Sequence, residues 1–491
     1  MSSEAFTAKV AGFGVLVLSG KPSFLSGILS AIFEKRRAMA RRISKAEARN
    51  GRPPDPRAVP QLVGLCARLI SGNHGEASSV AMASDILARW SALGDQGQRD
   101  FLLALGSGFG PDPGRLDRAI EAYRAEPNAM TVMELHNAAE PPRQEVLRRL
   151  NLAPLGTQTL VRMREAGLPH LAENPALRAL DADFTHLFSS WFNRGFLVLR
   201  RIDWSSPANI LEKIIRYEAV HEIRDWSDLR RRLEPRDRRC FAFFHPQLVD
   251  EPLIFVEVAL TDGIPSSIGA LLAEEPEAGS GAHLSKVHAD TAVFYSISNC
   301  QAGLRGISFG DFLIKQVVEE LNRDLPELDT FVTLSPVPGF GRWLDGQLQD
   351  GEDGLLPAED RAALLAHIDG DGWVHDPDRA ARVRPHLLRA AALYLLKAKG
   401  SKGMPLDPVA RFHLGNGASL HQINFLADTS PRALREAHGL MVNYQYKRDE
   451  IEANHERLAQ GGPVAASAEV QRLANGNGHS TAAARVKGKR A

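Results

Sequence analysis

Thr291–Leu325, TAVFYSISNCQAGLRGISFGDFLIKQVVEELNRDL, carries the densest structural signal in this chain. Thr291 to Ser298 is rich in β-branched and aromatic residues and reads as a strand. A loop with Gln301, Gly303, Arg305, Gly306 and Gly310 follows. The next segment has helical periodicity, with Phe309, Phe312, Leu313, Val317, Val318 and Leu321 on one face. Strand, glycine loop and helix N-terminus together suit an anion. The free backbone N–H groups of the first turn and the positive end of the helix dipole stabilise phosphate, and glycines allow close approach. Arg305 adds a charge-assisted donor. The segment has no GxxxxGK[ST] and no GxGxxG spacing, so it is neither a P-loop nor a dinucleotide fingerprint; taken alone, it also suits a plain tight turn.

The β texture extends to both sides. GFLVLRRI, CFAFFHP, PLIFVEVAL and TFVTLSP are short runs rich in Val, Ile and Phe, separated by helical segments such as NILEKIIRYEAVHEI, so from about Gly195 the chain reads as α/β or α+β. From about Pro60 to Ser190 the period is helical instead. Val80, Ile86, Leu87, Trp90 and Leu93 recur at helical spacing, then Leu102, Leu103 and Leu105, then Val132, Leu135, Val146, Leu147 and Leu150. Breaks at GSGFGPDPG and AEPP divide this region into several short helices. It shows no titratable set at catalytic or ligand spacing, and its default role is packing or oligomerisation. Gly461 to Ala491 is rich in Gly, Ala, Ser and Asn and reads as disordered. The expected division is an extension with a basic linker over 1–59, an all-α domain over 60–190, a sheet domain over 191–460 and a tail over 461–491.

Composition limits the function classes. A chain of 491 residues with 44 % hydrophobic content can bury more than one core. Lys+Arg and Asp+Glu both number 59, so no global field draws in nucleic acid or an anionic membrane, and an anionic ligand must be met locally. Cys66, Cys240 and Cys300 are odd in number and lack CxxC spacing, which argues against a disulfide framework and a structural zinc, and fits a reducing compartment. The apolar stretch Val10–Leu18 is broken at Gly20-Lys21-Pro22, short of the roughly 20 residues a spanning helix needs. Glu4 and the basic run KRRAMARRISKAEAR that follows argue against a signal peptide.

Two further stretches place reactive side chains. In VTLSPVPGFGRWL, Val332 to Leu344, a β-favouring run reaches Ser335, where Pro336 and Pro338 restrict the backbone and Gly339 turns the chain. A serine held so firmly can be aimed, although a plain surface turn explains the same residues. In PLDPVARFHLGNGASLHQINFLADTS, His413 sits in an apolar run ahead of Gly415-Asn416-Gly417. Such a histidine is often a core residue satisfied by a carbonyl; its glycine-flanked exit also lets it lie near a ligand. MVNYQY, Met441 to Tyr446, offers the hydroxyls of Tyr444 and Tyr446.

The order strand, Gln-x-x-x-x-Gly loop, amphipathic helix, strand resembles the coenzyme A pyrophosphate loop of the GNAT acetyltransferase fold, with Leu304 where the common pattern has glycine. Taken with HPQLVDEPLIFVEVAL, TLSPVPGF, PVARFHLGNGA and LMVNYQY in this order, the segment resembles the malonyl-CoA decarboxylase family, most densely from about His245 to Tyr446. The resemblance implies an α+β protein: an N-terminal all-α domain for homo-oligomerisation, as dimer or tetramer, then a GNAT-like catalytic domain with a mixed central sheet. It implies a carboxy-lyase that converts malonyl-CoA to acetyl-CoA and carbon dioxide. The family's catalytic serine falls on Ser335 and its catalytic histidine on His413, with Tyr446 completing the hydrogen-bond net. Coenzyme A binding is carried over to Gln301, Leu304, Arg305, Gly306, Ile307, Ser308, Phe309, Gly310 and Asp311. Ser308 stands where the family has an acidic residue. The closing Gly-Lys-Arg-Ala does not match the Ser-Lys-Leu-type peroxisomal signal of eukaryotic relatives, and the expected compartment is the cytoplasm.

Decarboxylation of a malonyl thioester leaves an enolate, for which the thioester carbonyl is itself the electron sink; the expectation is no cofactor and no metal. A GNAT-type acyltransferase using acetyl-CoA would share the loop but need an amine acceptor. A non-catalytic coenzyme A-binding protein would need neither Ser335 nor His413.

Overall fold

The computed structural model describes residues 56–72, 75–273, 289–307, 313–349, 354–368, 370, 372–400 and 403–476. The described chain forms two compact units, up to Asp183 and from Phe184 onward. The division falls a few residues earlier than the expected 190/191 boundary, inside a helix.

The first unit is helical, as its periodicity predicts. Its helices are α1 (Ala58–Ile70), α2 (Glu76–Ser91), α3 (Asp95–Gly108), α4 (Pro113–Ala125), α5 (Ala129–Ala139), α6 (Pro142–Asn151), α7 (Gly156–Gly167) and the start of α8 (Pro175–Trp191). In α1 the buried residues are Leu62, Leu65, Cys66 and Leu69, and in α2 Ala83, Ile86, Leu87 and Trp90, the i, i+3, i+4, i+7 stripe of a helix with one dry face. Local chemistry marks the ends. Asp112 accepts from the Arg115 N–H, and Asn128 with Thr131 forms a capping box at α5. The buried Arg143 guanidinium is paired with Asp183 and also donates to the Gly106 carbonyl at 3.3 Å. Val132 lies on α5 as its spacing predicts and is exposed there, together with Met130 and Met133. Short apolar periodicity cannot tell a dry face from a wet one when the helix lies at a surface.

The second unit is built on an eight-stranded sheet: β1 (Val198–Ile202), β2 (Arg238–Phe244), β3 (Pro252–Thr261), β4 (Thr291–Asn299), β5 (Thr330–Thr333), β6 (Ser335–Pro336), β7 (Ser419–Asn424) and β8 (Met441–Gln445). Its order is β1-β2-β3-β4-β5-β8-β6, with β7 also on β8. The β4–β5 pair is parallel and the others are antiparallel, so the sheet is mixed, as expected. The crossover between β4 and β5 contains helix α12 below, the arrangement read from Thr291–Leu325.

The helices of this unit are α9 (Ala208–Tyr217), α10 (Trp226–Leu233), α11 (Ile268–Leu272), α12 (Leu313–Asp324), α13 (Phe340–Gln349), α14 (Ala358–His367), α15 (Pro377–Lys397), α16 (Pro408–Gly415), α17 (Pro431–Ala437), α18 (Ile451–Ala459) and α19 (Ala468–Ala474). β3 is buried along nearly its whole length, the mark of a central strand covered on both faces. One core joins Ile210, Leu211 and Ile214 of α9 and Leu229 of α10 to Cys240, Ala242 and Phe255. Another joins Ile268 and Leu271 to Ala259, Val293, Val332, Leu334 and Met441. Glu257 lies between Phe255 and Ala259 on β3. It accepts from Arg232 at 3.2 Å, and burial, aided by the charge of Glu218, pushes its carboxyl up to about 8.

The tail needs a correction. The first part of 461–491, which reads as disordered, is folded here: Ala465 accepts from the Leu420 N–H at 2.8 Å, the Ser467 N–H donates back to Leu420 at 2.9 Å, and α19 buries Val470. An edge strand recruited this segment through backbone hydrogen bonds, which composition does not register. Residues 477–491 lie outside the described residues, as does nearly all of the 1–59 extension. Cys66, Cys240 and Cys300 are free and buried. Among the described residues, no helix is long and apolar enough to cross a membrane.

Candidate active site

β5 and β6 are in effect one strand interrupted at Leu334. The pairing with β8 runs in step from Val332 opposite Gln445 to Ser335 opposite Val442. The strand therefore does not end on Ser335, as its sequence suggests; it continues through Pro336, and the chain turns at Pro338-Gly339 into α13. Alternation places Phe331, Thr333 and Ser335 on one face, while Val332 and Leu334 join the core on the other. Serine is thus held by pairing with β8 as well as by the prolines.

His413 arrives from α16. Asp407 caps this helix, accepting from the Val409 and Ala410 N–H groups, both at 2.9 Å, and Pro408 occupies the first turn. Beyond the helix, Gly417 has φ +84°, and a Cβ there would collide with the Ile451 carbonyl, so only glycine serves.

These elements join two segments far apart in sequence. Ser335 Oγ lies 3.1 Å from His413 Nε2, and His413 Nδ1 lies 2.9 Å from Tyr446 Oη. Thr333 Oγ1 is 2.8 Å from Ser335 Oγ and accepts from the Tyr444 N–H at 3.1 Å. The imidazole is stacked on the Tyr444 ring, with centroids 4.7 Å apart. All five side chains are buried, and the Tyr444 hydroxyl has no hydrogen-bond partner among the described residues. Burial lowers the His413 imidazole to about 3, so it is neutral at physiological pH. Burial raises the Tyr446 hydroxyl, which keeps its proton. The predicted trio Ser335, His413 and Tyr446 is therefore one hydrogen-bonded chain. Thr333 and the Tyr444 N–H extend it, and Asp407 caps the helix that carries His413. Thr333 was legible as a hydroxyl two residues from Ser335 on the same strand face, and Asp407-Pro408 as a helix-start signature.

The predicted coenzyme-binding loop is described in part. Gln301 follows β4, and its side chain donates to the Pro252 carbonyl at 3.0 Å, tying the loop to the start of β3. Leu304 and Ile307 are buried and anchor the loop, while Arg305 and Gly306 are exposed. Gly306 has φ +78°, a left-handed conformation that requires glycine, and a Cβ there would meet no neighbour. Ser308, Phe309, Gly310 and Asp311 lie outside the described residues.

Fold and site together define an α+β enzyme in which a helical domain precedes a mixed-sheet domain with a buried Ser–His pair. The malonyl-CoA decarboxylase C-terminal domain matches residues 195–484, and the N-terminal domain of the same family matches 109–192. The chain belongs to the malonyl-CoA decarboxylase family. The mitochondrial malonyl-CoA decarboxylase of Rattus norvegicus is 33 % identical over 448 residues, 82 % of this chain and 90 % of that one. The crystal structure of malonyl-CoA decarboxylase from Rhodopseudomonas palustris is 56 % identical with a TM-score of 0.78, covering 84 % of this chain and 99 % of that chain. That of the Agrobacterium vitis enzyme is 57 % identical with the same TM-score of 0.78 and the same coverage, 84 % and 99 %.

Proposed function

We infer that this protein is a carboxy-lyase that converts malonyl-CoA to acetyl-CoA and carbon dioxide. The bond between C2 and the malonyl carboxylate breaks, its electron pair moves into the thioester carbonyl, and carbon dioxide leaves an enolate that is then protonated on C2. The carbonyl serves as electron sink, so the chemistry calls for no resident cofactor or metal.

The observation that carries the reading is the buried contact of Ser335 Oγ with His413 Nε2 at 3.1 Å, made by residues 78 positions apart. The roles follow from proton bookkeeping. Tyr446 keeps its proton and donates to His413 Nδ1, so the neutral imidazole carries its proton on Nε2 and donates to Ser335 Oγ. Ser335 in turn donates to Thr333 Oγ1 at 2.8 Å, and that proton is the one that turns to the thioester oxygen as charge builds there. One such donor is worth about 100- to 1000-fold in rate. An imidazole held so far below its ordinary range is a poor base, which argues against an acyl-serine route.

The loop from Gln301 to Asp311 is the proposed coenzyme A site, with the Gly306 turn and Arg305 facing the pyrophosphate. The same proposal includes a homo-oligomer joined through the helical domain, a cytoplasmic location and a role in malonate and fatty acid metabolism. The test is incubation with malonyl-CoA. Equal amounts of acetyl-CoA and carbon dioxide are expected; acyl transfer to an amine without carbon dioxide would point to an acyltransferase, and intact malonyl-CoA to a binding protein.

A further inference from the structure

A buried carboxylate at the start of the His413 segment also reaches the Ser335 segment. Asp407 is 1 % exposed. Its Oδ1 caps the His413 helix through Val409 and Ala410, while its Oδ2 faces away from that helix. Oδ2 accepts from the Gly339 N–H at 3.4 Å, in the turn just after Ser335, and from the Tyr394 hydroxyl at 3.3 Å. A Cβ at Gly339 would run into that same hydroxyl, which explains the glycine of the Ser-Pro-x-Pro-Gly motif without reference to ligand. The Phe340 and Trp343 rings pack against Tyr394, with centroids 5.7 and 5.1 Å apart, and close the clamp.

We propose that Asp407 is a positioning residue for the decarboxylation: one carboxylate holds the N-terminus of the His413 helix with one oxygen and the Ser335 turn with the other, and so sets the Ser335–His413 separation. This rests on the reading of Ser335 and His413 as the acting pair. A helix cap needs only one side-chain oxygen and a serine would supply it. The second oxygen has a separate task. Each oxygen has one fully buried bond, Oδ1 with the Ala410 N–H and Oδ2 with the Tyr394 hydroxyl, and the reacting geometry tolerates little drift: a displacement of about 1 Å at a catalytic group can cost on the order of 100-fold.

Asp407→Asn separates the tasks. The amide oxygen still caps Val409 and Ala410, but the amide nitrogen now meets the Gly339 N–H, donor against donor. The expected result is a fall in kcat of about 10- to 100-fold with KM for malonyl-CoA within about 3-fold of wild type. In a Ser335→Ala background the same change should lower kcat no further, because it acts through Ser335. Should Asp407→Asn fail to fold, Tyr394→Phe, which removes one donor to Oδ2 and keeps the cap, takes its place with a smaller kcat loss at constant KM. Wild-type kcat in whichever of these variants folds, or an equal loss with and without Ser335, overturns the proposal. Ser335→Ala alone isolates the underlying reading: full turnover there removes Ser335 from the chemistry and leaves Asp407 a structural cap.

Discussion

Burial lowers His413 to about 3, and both its ring nitrogens are engaged, Nε2 with Ser335 and Nδ1 with Tyr446. A residue that stays neutral across the working range does not titrate there, so kcat should show no inflection near pH 6.5, the ordinary imidazole value. A bell with an acid limb at that pH would mean the imidazole is solvated and charged during turnover. Ser335→Ala and His413→Asn should each lower kcat by about 100-fold or more with coenzyme A affinity retained. The double variant should lose little more than the worse single one, since groups acting as one unit are strongly non-additive. Multiplicative losses in that cycle would assign the two residues independent tasks. Normal turnover in His413→Asn would return it to the core-packing role that an apolar-run histidine often has.

At the scale of elements, the strand and helix assignments followed the sequence where side-chain periodicity governs and departed from it where backbone pairing does. β4 is visible as a run of β-branched and aromatic residues and the amphipathic α12 as a stripe. The docking of 465–467 on β7 is not, because its bonds are main-chain and its composition is that of a linker. The docked segment leads to a concrete expectation. Truncation after Gly461 should lower Tm by several degrees, because it removes buried Val470, worth about 1.5–3 kcal/mol for a fully buried apolar side chain, and re-exposes the β7 edge. An unchanged Tm would show that the segment contributes nothing to stability. Ser335 makes the same point: its two prolines suggested a strand end, yet β8 extends the pairing through Pro336, since proline lacks only the donor and can sit where no N–H is needed.

Across the whole molecule, buried titratable groups set how stability varies with pH. His413 and His221 are held neutral by burial, down to about 3 and about 4, whereas the unfolded chain protonates near 6.5. Their folded values are depressed, so the stability each contributes is complete above pH 6.5 and is lost as pH falls toward those values, by about 1.4 kcal/mol per pH unit per group. Glu257 has the opposite sign. Raised to about 8 from 4.5, its contribution is complete below pH 4.5 and declines as pH rises through 8. Two imidazoles outweigh one carboxyl below pH 6.5, and only the carboxyl acts above it. Thermal melts should therefore peak near pH 6.5. His413→Asn should make the acid limb shallower, and Glu257→Gln should flatten the decline from 6.5 to 8. A Tm that rises steadily from pH 6.5 to 8 would contradict the assignment of Glu257.

The sequence by itself determined the order of elements, the class of each unit and the conformational stiffness around Ser335, because each depends on residues within a turn or a strand of one another. Ordered motifs also carried the resemblance that named the Ser335 and His413 positions in advance. Only the tertiary structure decided that His413 is neutral, that Tyr444 stacks on it and Thr333 bonds Ser335, that Asp407 reaches Gly339 68 positions away, and that part of the tail completes a sheet edge. Burial and long-range hydrogen bonds are properties of neighbours in space. Local propensity carries no record of them.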